Sequence, residues 1–412
     1  MKDLSLTTTN INSCSGGCLY CLAASTINYS LIKTSDVKDT IIKDCIRVDN
    51  KTYDEAQFDF EALEKKLDEL QPNSIALWGG DPITSFKCLQ EEVDFLEWWS
   101  NKNNHPLHIT SSTNGLPLLR DDIKNYLIKH NLSTQLSHDG IGQWIRTSSI
   151  DPLDFDNVRE LIDRGIINAI NATLSFYNYS CKDNIDYFHS KLKEIWPDIY
   201  NPNKMASERE SNLYRSLYIK LNHIMDSDYN VTGLNKDGRW QKTTIEELKN
   251  TKLGDMSLRN GTNEWDKHVL DDYIAEWFEL LWQYGDNRLA ISYFLPFRKY
   301  IIDQFQRGRR LSSLTAKEGN ACRLYQMGLS DTSIHIDTLG KFTQCNLLDS
   351  NTSVVNPTNE RPNCKGCRYE LSSECNMCGA VSPRKECQYF FRWNQFLDQA
   401  RRVYYGLNRN KS

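Results

Sequence analysis

The chain has 412 residues, of which 39% are hydrophobic and 25% carry charge, and its formal net charge is -5. A chain of this length can bury one large core and a smaller second domain. Acidic and basic residues are mixed along the sequence, which argues against nucleic acid and against a membrane surface as partners. No signal-peptide pattern and no apolar run of about 18 residues occurs, so we expect a globular cytoplasmic protein.

Three cysteines, Cys14, Cys18 and Cys21, follow the first strand-like stretch with the spacing CX3CX2C. We expect the 13 cysteines of a chain without an export signal to be metal ligands more often than disulfides, because a reducing compartment keeps thiols reduced. A 4Fe-4S cluster normally takes four cysteines, so a compact trio predicts a cluster whose fourth iron binds a small molecule. The alternatives are a zinc knuckle or three buried structural thiols.

Short apolar strands alternate with amphipathic helices over the first half of the chain, which predicts parallel βα units. One helix places Phe60, Leu63, Leu67 and Leu70 on a single face. This pattern favours an α/β fold in which a partial (β/α)6 TIM-like barrel remains open. The predicted strands cover residues 4–9, 74–78, 107–111, 133–137, 168–175 and 217–225.

Polar residues follow three of these strands, where α/β folds bind their ligands. Each polar run alone is typical of a turn, but their joint placement predicts a site. Asp81 lies beside two glycines, so its carboxylate can receive an ammonium group while the backbone approaches closely. The runs are Gly79-Gly80-Asp81-Pro82, Thr113-Asn114-Gly115 and Ser137-His138-Asp139-Gly140.

The cysteine trio and the glycine-glycine-acid run resemble the motifs of radical SAM enzymes. In that family the methionyl part of S-adenosylmethionine (SAM) chelates the open iron, and an electron from the cluster cleaves it to a 5'-deoxyadenosyl radical. The acid of the family motif is usually Glu and is Asp81 here, so backbone groups of Gly79 and Gly80 share the expected ammonium contact. The resemblance further implies that Tyr20 lies near the adenine and Ser137 near the ribose.

Arg146 is a candidate for the SAM carboxylate, with a solvated surface charge as the alternative.

Seven more cysteines gather near the end of the chain, and Ile334 to Gly340 precedes the second of them. Two CXXC pairs alone would indicate a zinc ribbon, but seven cysteines are too many for one. Their order resembles the SPASM domain, which binds two auxiliary 4Fe-4S clusters, and Ile334 to Gly340 resembles the strand and turn that usually precede its second cysteine. The resemblance assigns the distal cluster to Cys364, Cys367, Cys375 and Cys387, and the nearer one to Cys322, Cys345 and Cys378.

The nearer cluster is one ligand short, so either another residue completes it or one iron is open. The expected cofactors are therefore SAM and three 4Fe-4S clusters.

The domain assignment is a radical SAM partial barrel at 1–232, a helical bridging region at 233–319, the SPASM domain at 320–395 and a C-terminal helix or tail at 396–412.

The resemblance implies an oxidoreductase that modifies a ribosomally synthesised precursor peptide. Within the family we favour formers of an oxidative side-chain crosslink, a cyclophane C–C or ether bond of the darobactin and triceptide type. Thioether formation and the Ser or Cys oxidation of anaerobic sulfatase-maturating enzymes are the alternatives, and a non-catalytic metal-binding scaffold is the alternative of another class. No motif identifies a catalytic base.

Two protein partners are expected besides the peptide. One is an external electron donor such as flavodoxin or ferredoxin. The chain begins directly at the first strand, so a protein that binds the leader peptide, if one is required, is expected to be separate.

Overall fold

The computed structural model describes residues 3–7, 14, 58–78, 80–143, 146, 150–174, 178–197, 217–223, 231–234, 240–243, 272, 275–276, 279 and 333–343. Its centre is a sheet in which six consecutive strands of the chain are neighbours and run parallel. All six predicted strands are confirmed, with small shifts at their ends. They are β1 (Asp3–Thr7), β2 (Ser74–Trp78), β3 (His108–Thr113), β4 (Ser133–Ser137), β5 (Ile167–Leu174) and β6 (Tyr218–His223).

Helices return the chain between successive strands, as the alternating pattern predicts. In the first of them, Asp59 caps the amino terminus by accepting a hydrogen bond from Ala62 N at 2.9 Å, and Gln71 ends the helix in a left-handed conformation. Leu63, Leu67 and Leu70 form its buried face. The helices are α1 (Phe60–Leu70), α2 (Phe86–Asn103), α3 (Asp121–Lys129), α4 (Asp156–Asp163) and α5 (Cys181–Ile195).

The two faces of the sheet differ in character. Side chains on one face, such as Leu77, Leu136 and Ile170, are buried in the hydrophobic core together with the helices. Because side chains alternate along a strand, their neighbours lie on the other face. On β4 and β5 several of those neighbours are polar and only half-buried, as Gln135 and Asn171 show, while Ala76 and Trp78 on β2 are apolar. The second face is therefore chemically suited to a polar ligand rather than to a second layer of helices.

A hairpin from much later in the chain extends the sheet at β1. Strand β9 (Ser333–Asp337) pairs in parallel with β1, and β10 (Phe342–Thr343) pairs antiparallel with β9. This confirms the strand and turn expected from Ile334 to Gly340. Gly340 has a φ of 71°, and a Cβ there would lie 2.9 Å from the backbone of Ala62 on α1. The hairpin turn thus packs closely against the start of α1.

A hairpin lies at the start of the predicted helical bridging region, 233–319. Strands β7 (Val231–Leu234) and β8 (Trp240–Thr243) form an antiparallel hairpin across the predicted boundary. The sequence between them contains Asp237-Gly238, a pair that is common in hairpin turns. The helix-forming residues elsewhere in the region led to its assignment as helical. Further along, Asp272, Ala275, Glu276 and Glu279 are helical. Within the described part of the chain, none of the helices has the length and apolarity needed to cross a membrane.

Candidate functional site

Cys14 is the member of the CX3CX2C motif that the structure describes, and it lies against the carboxyl end of β3. Asn114 Nδ2 donates a hydrogen bond to Cys14 Sγ at 3.7 Å. The backbone N–H of Asn114 donates to Asp81 Oδ2 at 2.8 Å, and its side-chain oxygen accepts from Leu116 N at 2.9 Å. One residue therefore connects the cysteine loop to the carboxyl ends of β2 and β3.

Asp81 is only 3% exposed and ties the ends of β2 and β3 together. Its Oδ1 accepts from Ile83 N at 3.1 Å and Thr84 N at 3.3 Å, while Oδ2 accepts from Thr113 Oγ1 at 3.0 Å and from Asn114 N. A carboxylate offers about four lone-pair sites, so these donors can occupy all of them. Burial raises the pKa of Asp81 to about 6, although the four hydrogen bonds favour the charged form.

Asp139 holds the next pair of strand ends in a different way. It is fully buried, and its Oδ1 accepts from Arg146 Nη2 at 3.0 Å and from Thr173 N at 3.0 Å. The Arg146 side chain is 11% exposed. The solvated surface charge considered for Arg146 is therefore wrong. Its guanidinium instead forms a mostly buried ion pair at the carboxyl ends of β4 and β5.

Two buried asparagines, Asn178 and Asn184, close the same region against α5. Asn178 Nδ2 donates to the carbonyl oxygen of Asp139 at 2.8 Å, and Asn184 Nδ2 donates to the carbonyl oxygen of Asn178 at 2.7 Å. Gly140 has a φ of 60°, and a Cβ there would lie 2.0 Å from Asn184 Oδ1. At Gly142 a Cβ would lie 2.6 Å from the Asn178 amide. Both glycines therefore leave room for this amide lock, by which we mean Asn178 and Asn184.

His138 anchors the loop after β4 from the helix side. Its Nδ1 accepts from Gly140 N at 3.1 Å, so Nε2 carries the proton that it shares with Asp151 Oδ1 at 2.8 Å. Asp151 also accepts from the Tyr187 hydroxyl and pairs with Lys191 Nζ at 3.0 Å. Burial opposes ionisation of Asp151, but the hydrogen bonds from His138 and Tyr187 outweigh it and hold the pKa of the carboxyl well below its usual value.

The structure brings several predicted site residues to one edge of the sheet. Cys14, Gly80 and Asp81 adjoin the ends of β2 and β3, while Ser137 ends β4 and Arg146 is a helical residue beyond it. Cys88 is buried in α2, and Cys181 is buried at the start of α5. Outside the described residues lie Cys18, Tyr20, Cys21, Gly79, Cys322, Cys345, Cys364, Cys367, Cys375, Cys378 and Cys387.

Sequence reasoning singled out Asn114 and Asp139 only as parts of strand-end runs, and it missed Asn178 and Asn184 altogether. The signal for Asn114 was its position directly after β3, since that edge of a parallel sheet binds ligands. The two other asparagines stand far from every motif in the sequence. Only the packing of α5 against the loop after β4 brings them to the site.

The described part of the cysteine motif fits an iron–sulfur cluster. Cys14 supplies a soft sulfur donor, and the Asn114 side chain donates an amide N–H to it. Amide donors to cysteine sulfur suit an anionic cluster, whereas zinc sites with mixed ligands draw on imidazole or carboxylate groups. The residues present are therefore compatible with a 4Fe-4S cluster held by this loop.

No protein-family model matches the chain, and a search of curated proteins finds no significant match. Among solved structures, anSMEcpe with bound AdoMet and Cp18Cys peptide has a TM-score of 0.51 at 14% identity, covering 98% of this chain and 100% of that one. The structure of anSMEcpe with bound AdoMet has a TM-score of 0.53 at 13% identity, covering 97% of this chain and 100% of the other. These matches show a shared fold.

A weaker match is Streptococcus suis SuiB bound to precursor peptide SuiA. Its TM-score is 0.42 at 13% identity, covering 94% of this chain and 75% of SuiB.

Proposed function

We propose that this chain is a radical SAM enzyme that modifies a ribosomally synthesised peptide. The observation that carries the proposal is the position of Cys14 beside Asn114 and Asp81, at the ligand-binding edge of a parallel sheet. Support comes from the shared fold with anSMEcpe, a protein solved with AdoMet and with a peptide. The CX3CX2C spacing supplies the chemistry, because three thiolates leave a fourth iron open.

The cluster would be held by Cys14, Cys18 and Cys21. When bound, it supplies the electron that cleaves SAM to a 5'-deoxyadenosyl radical. Since donors from the protein surround the Asp81 carboxylate, we assign the SAM ammonium chiefly to backbone groups of Gly79 and Gly80. Asp81 then acts by shaping the turn that presents these groups.

Three side chains complete the proposed SAM site, with Tyr20 near the adenine, Ser137 near the ribose and Arg146 on the carboxylate. Arg146 carries five N–H donors, so a bond to Asp139 is compatible with a second anionic partner. The ion pair also holds the guanidinium in a fixed position, which lowers the entropic cost of binding a carboxylate.

For the reaction itself we propose an oxidative crosslink between side chains of the peptide, with two auxiliary clusters in a SPASM domain as the electron acceptor. The proposal rests on the seven later cysteines and their spacing. Hydrogen abstraction and ring closure remove two hydrogens from the peptide, and one electron must leave the substrate radical. Iron–sulfur groups accept single electrons, which suits this step.

SAM cleavage tests the central assignment. Anaerobically reconstituted and reduced protein should convert SAM to 5'-deoxyadenosine, and Cys18→Ala should abolish this activity. Cys88→Ala is the matched control, because Cys88 is a buried cysteine of α2 outside the motif. Undiminished cleavage by Cys18→Ala, or no cleavage by the wild type, would refute the radical SAM proposal.

Metal analysis tests the auxiliary clusters separately. Replacing Cys14, Cys18 and Cys21 together with Ala should leave iron and sulfide for two clusters. Zinc without visible absorption would indicate a zinc ribbon instead, and would remove the SPASM part of the proposal while leaving SAM cleavage intact.

The bond type is decided on the peptide product. A precursor deuterated in the abstracted side chain should pass deuterium to 5'-deoxyadenosine. Fragmentation that finds two linked side chains supports the crosslink, loss of an alkylatable thiol supports a thioether, and an aldehyde that reacts with hydrazide supports Ser or Cys oxidation. Unchanged mass with solvent deuterium at an α-carbon would mean epimerisation and would contradict the crosslink.

A further inference from the structure

Asn114 makes one directed contact with Cys14, and the proposed function uses this contact only to place the cysteine. Its side-chain oxygen accepts from Leu116 N, which can only donate, so the amide is oriented with Nδ2 towards Cys14 Sγ. The 3.7 Å distance is suitable for an N–H···S hydrogen bond. With 4% of its surface exposed, Asn114 is shielded from water that could replace this donor.

The backbone of the same residue is also held in place. Asn114 N donates to Asp81 Oδ2, and Gly115 N donates to Thr113 Oγ1 at 3.1 Å. The turn after β3 is thus anchored at consecutive residues. The donor reaches the sulfur from a rigid strand end rather than from a mobile loop, so its strength should vary little between states of the protein.

A hydrogen bond to a cysteine ligand affects the two oxidation states of a cluster unequally. Reduction adds a negative charge that is partly carried by the sulfur atoms, and an N–H donor stabilises that charge. Such bonds therefore raise the reduction potential of iron–sulfur clusters. The effect requires only a donor at the ligand sulfur, which Asn114 provides.

We propose that Asn114 sets the reduction potential of the cluster held by Cys14, Cys18 and Cys21, through its hydrogen bond to Cys14. This inference rests on the proposed function, since it requires that cluster. Asn114 is a positioning and tuning residue, and it brings the cluster within the range of a biological one-electron donor such as flavodoxin or ferredoxin.

Two variants of Asn114 remove its hydrogen bond to Cys14 while keeping the hydrogen bond that holds the turn after β3. In Asn114→Ser the hydroxyl can still accept from Leu116 N, but it is too short to reach the sulfur. In Asn114→Asp the shape and the acceptor remain, while the donor is replaced by a negative oxygen. Asn125→Asp is the control, because it makes the same exchange at an exposed asparagine of α3.

The measurement is an anaerobic redox titration followed by electron paramagnetic resonance. It uses the signal that changes when SAM is added, which separates this cluster from any auxiliary ones. We expect a more negative midpoint potential for Asn114→Ser and a still more negative one for Asn114→Asp. At a fixed potential the ratio of reduced to oxidised cluster should fall about threefold to tenfold. A tenfold fall in this ratio corresponds to about 59 mV for one electron.

Unchanged midpoint potentials in both Asn114 variants would overturn the inference. Failure of both variants to take up iron, while Asn125→Asp loads normally, would also overturn it and assign Asn114 to holding the loop. If the wild type shows no signal that responds to SAM, it is the proposed function that fails.

Discussion

Two buried aspartates, Asp81 and Asp139, hold the carboxyl-terminal edge of the parallel sheet, one through neutral donors and the other through a cation. Asp81 accepts hydrogen bonds from neutral backbone and hydroxyl groups at the ends of β2 and β3. Asp139 pairs with the charged guanidinium of Arg146 at the ends of β4 and β5. Both are nearly or fully shielded from water.

Because of this difference, the two aspartates should respond differently to pH and to mutation. Neutral donors do not fully offset the burial of a charge, so the Asp81 end responds to pH through its raised pKa. The cation at the Asp139 end balances the charge, but loss of one partner leaves the other buried and unpaired. We therefore expect the stability contributed at the ends of β2 and β3 to depend on pH. The stability contributed at the ends of β4 and β5 should instead be lost when one member of the ion pair is replaced.

The largest expected effect comes from Asp139→Asn. It removes the partner of Arg146 without changing the shape of the side chain, and the unpaired guanidinium should cost about 3–5 kcal/mol of unfolding free energy. Denaturant unfolding followed by tryptophan fluorescence measures the loss. Asp156→Asn, at an exposed aspartate of α4, should change stability by less than about 1 kcal/mol. Equal losses of stability at both positions would show that leaving Arg146 buried without its partner carries no extra cost.

The second effect is a pH dependence carried by Asp81. The folded carboxyl keeps its proton up to a pKa of about 6, whereas the unfolded carboxyl loses its proton near the ordinary pKa of 3.8. The folded state therefore binds more protons between these values, and stability falls as pH rises through this window and then levels off. The fall should reach about 3 kcal/mol at most, since one pKa unit corresponds to about 1.4 kcal/mol.

The Asp81 contribution is isolated by comparison with Asp81→Asn. The variant lacks the titrating group, so the difference in stability between wild type and variant should shrink from pH 4 to pH 6. A difference that stays constant, or grows with pH, would show that burial does not raise this pKa.

Gly140→Ala should have a smaller effect, of about 2 kcal/mol. A φ of 60° costs a residue with a Cβ about 1–2 kcal/mol, and the new methyl group must also displace Asn184 Oδ1. Gly165→Ala is the control, because Gly165 has a φ of 75° but lies away from the amide lock. If both variants lose the same stability, the contact with Asn184 contributes nothing beyond the backbone conformation.

The smallest effect is expected for Lys191→Met. Lys191 pairs with Asp151 and with the more exposed Asp154, and pairs near the surface contribute about 1 kcal/mol or less. Asp151 keeps its hydrogen bonds from His138 and Tyr187 in this variant. A loss above about 2 kcal/mol would show that the lysine is essential to the anchoring of the loop after β4.

The six parallel strands were predictable because each is a short apolar run between polar turns, and the helices between them have one apolar face. The pairing of β9 with β1 was not, since it joins residues more than 300 positions apart and depends on Gly340 packing against α1. A strand and turn were predictable there, but their partner was not.

The candidate site shows the same limit. The cysteine trio and the strand-end runs pointed to the edge of the sheet where Cys14, Asp81 and Asp139 lie, because these motifs directly follow strands in the sequence. The partners of the individual side chains are not local. Cys14 and Asn114 are 100 positions apart, and Asp81 meets Thr113 from 32 positions away. Asp81 was therefore assigned to a ligand before the donors around it were visible.

The central claim is that SAM binds directly to a cluster on the loop that contains Cys14. The most direct test is electron–nuclear double resonance on the reduced protein with SAM that carries 17O in its carboxylate or 15N in its amino group. The account predicts a coupling between the label and the cluster in the wild type and in Cys88→Ala, and its loss in Cys18→Ala. A reduced cluster that shows no coupling to either label, and whose signal is unchanged by SAM, would contradict it.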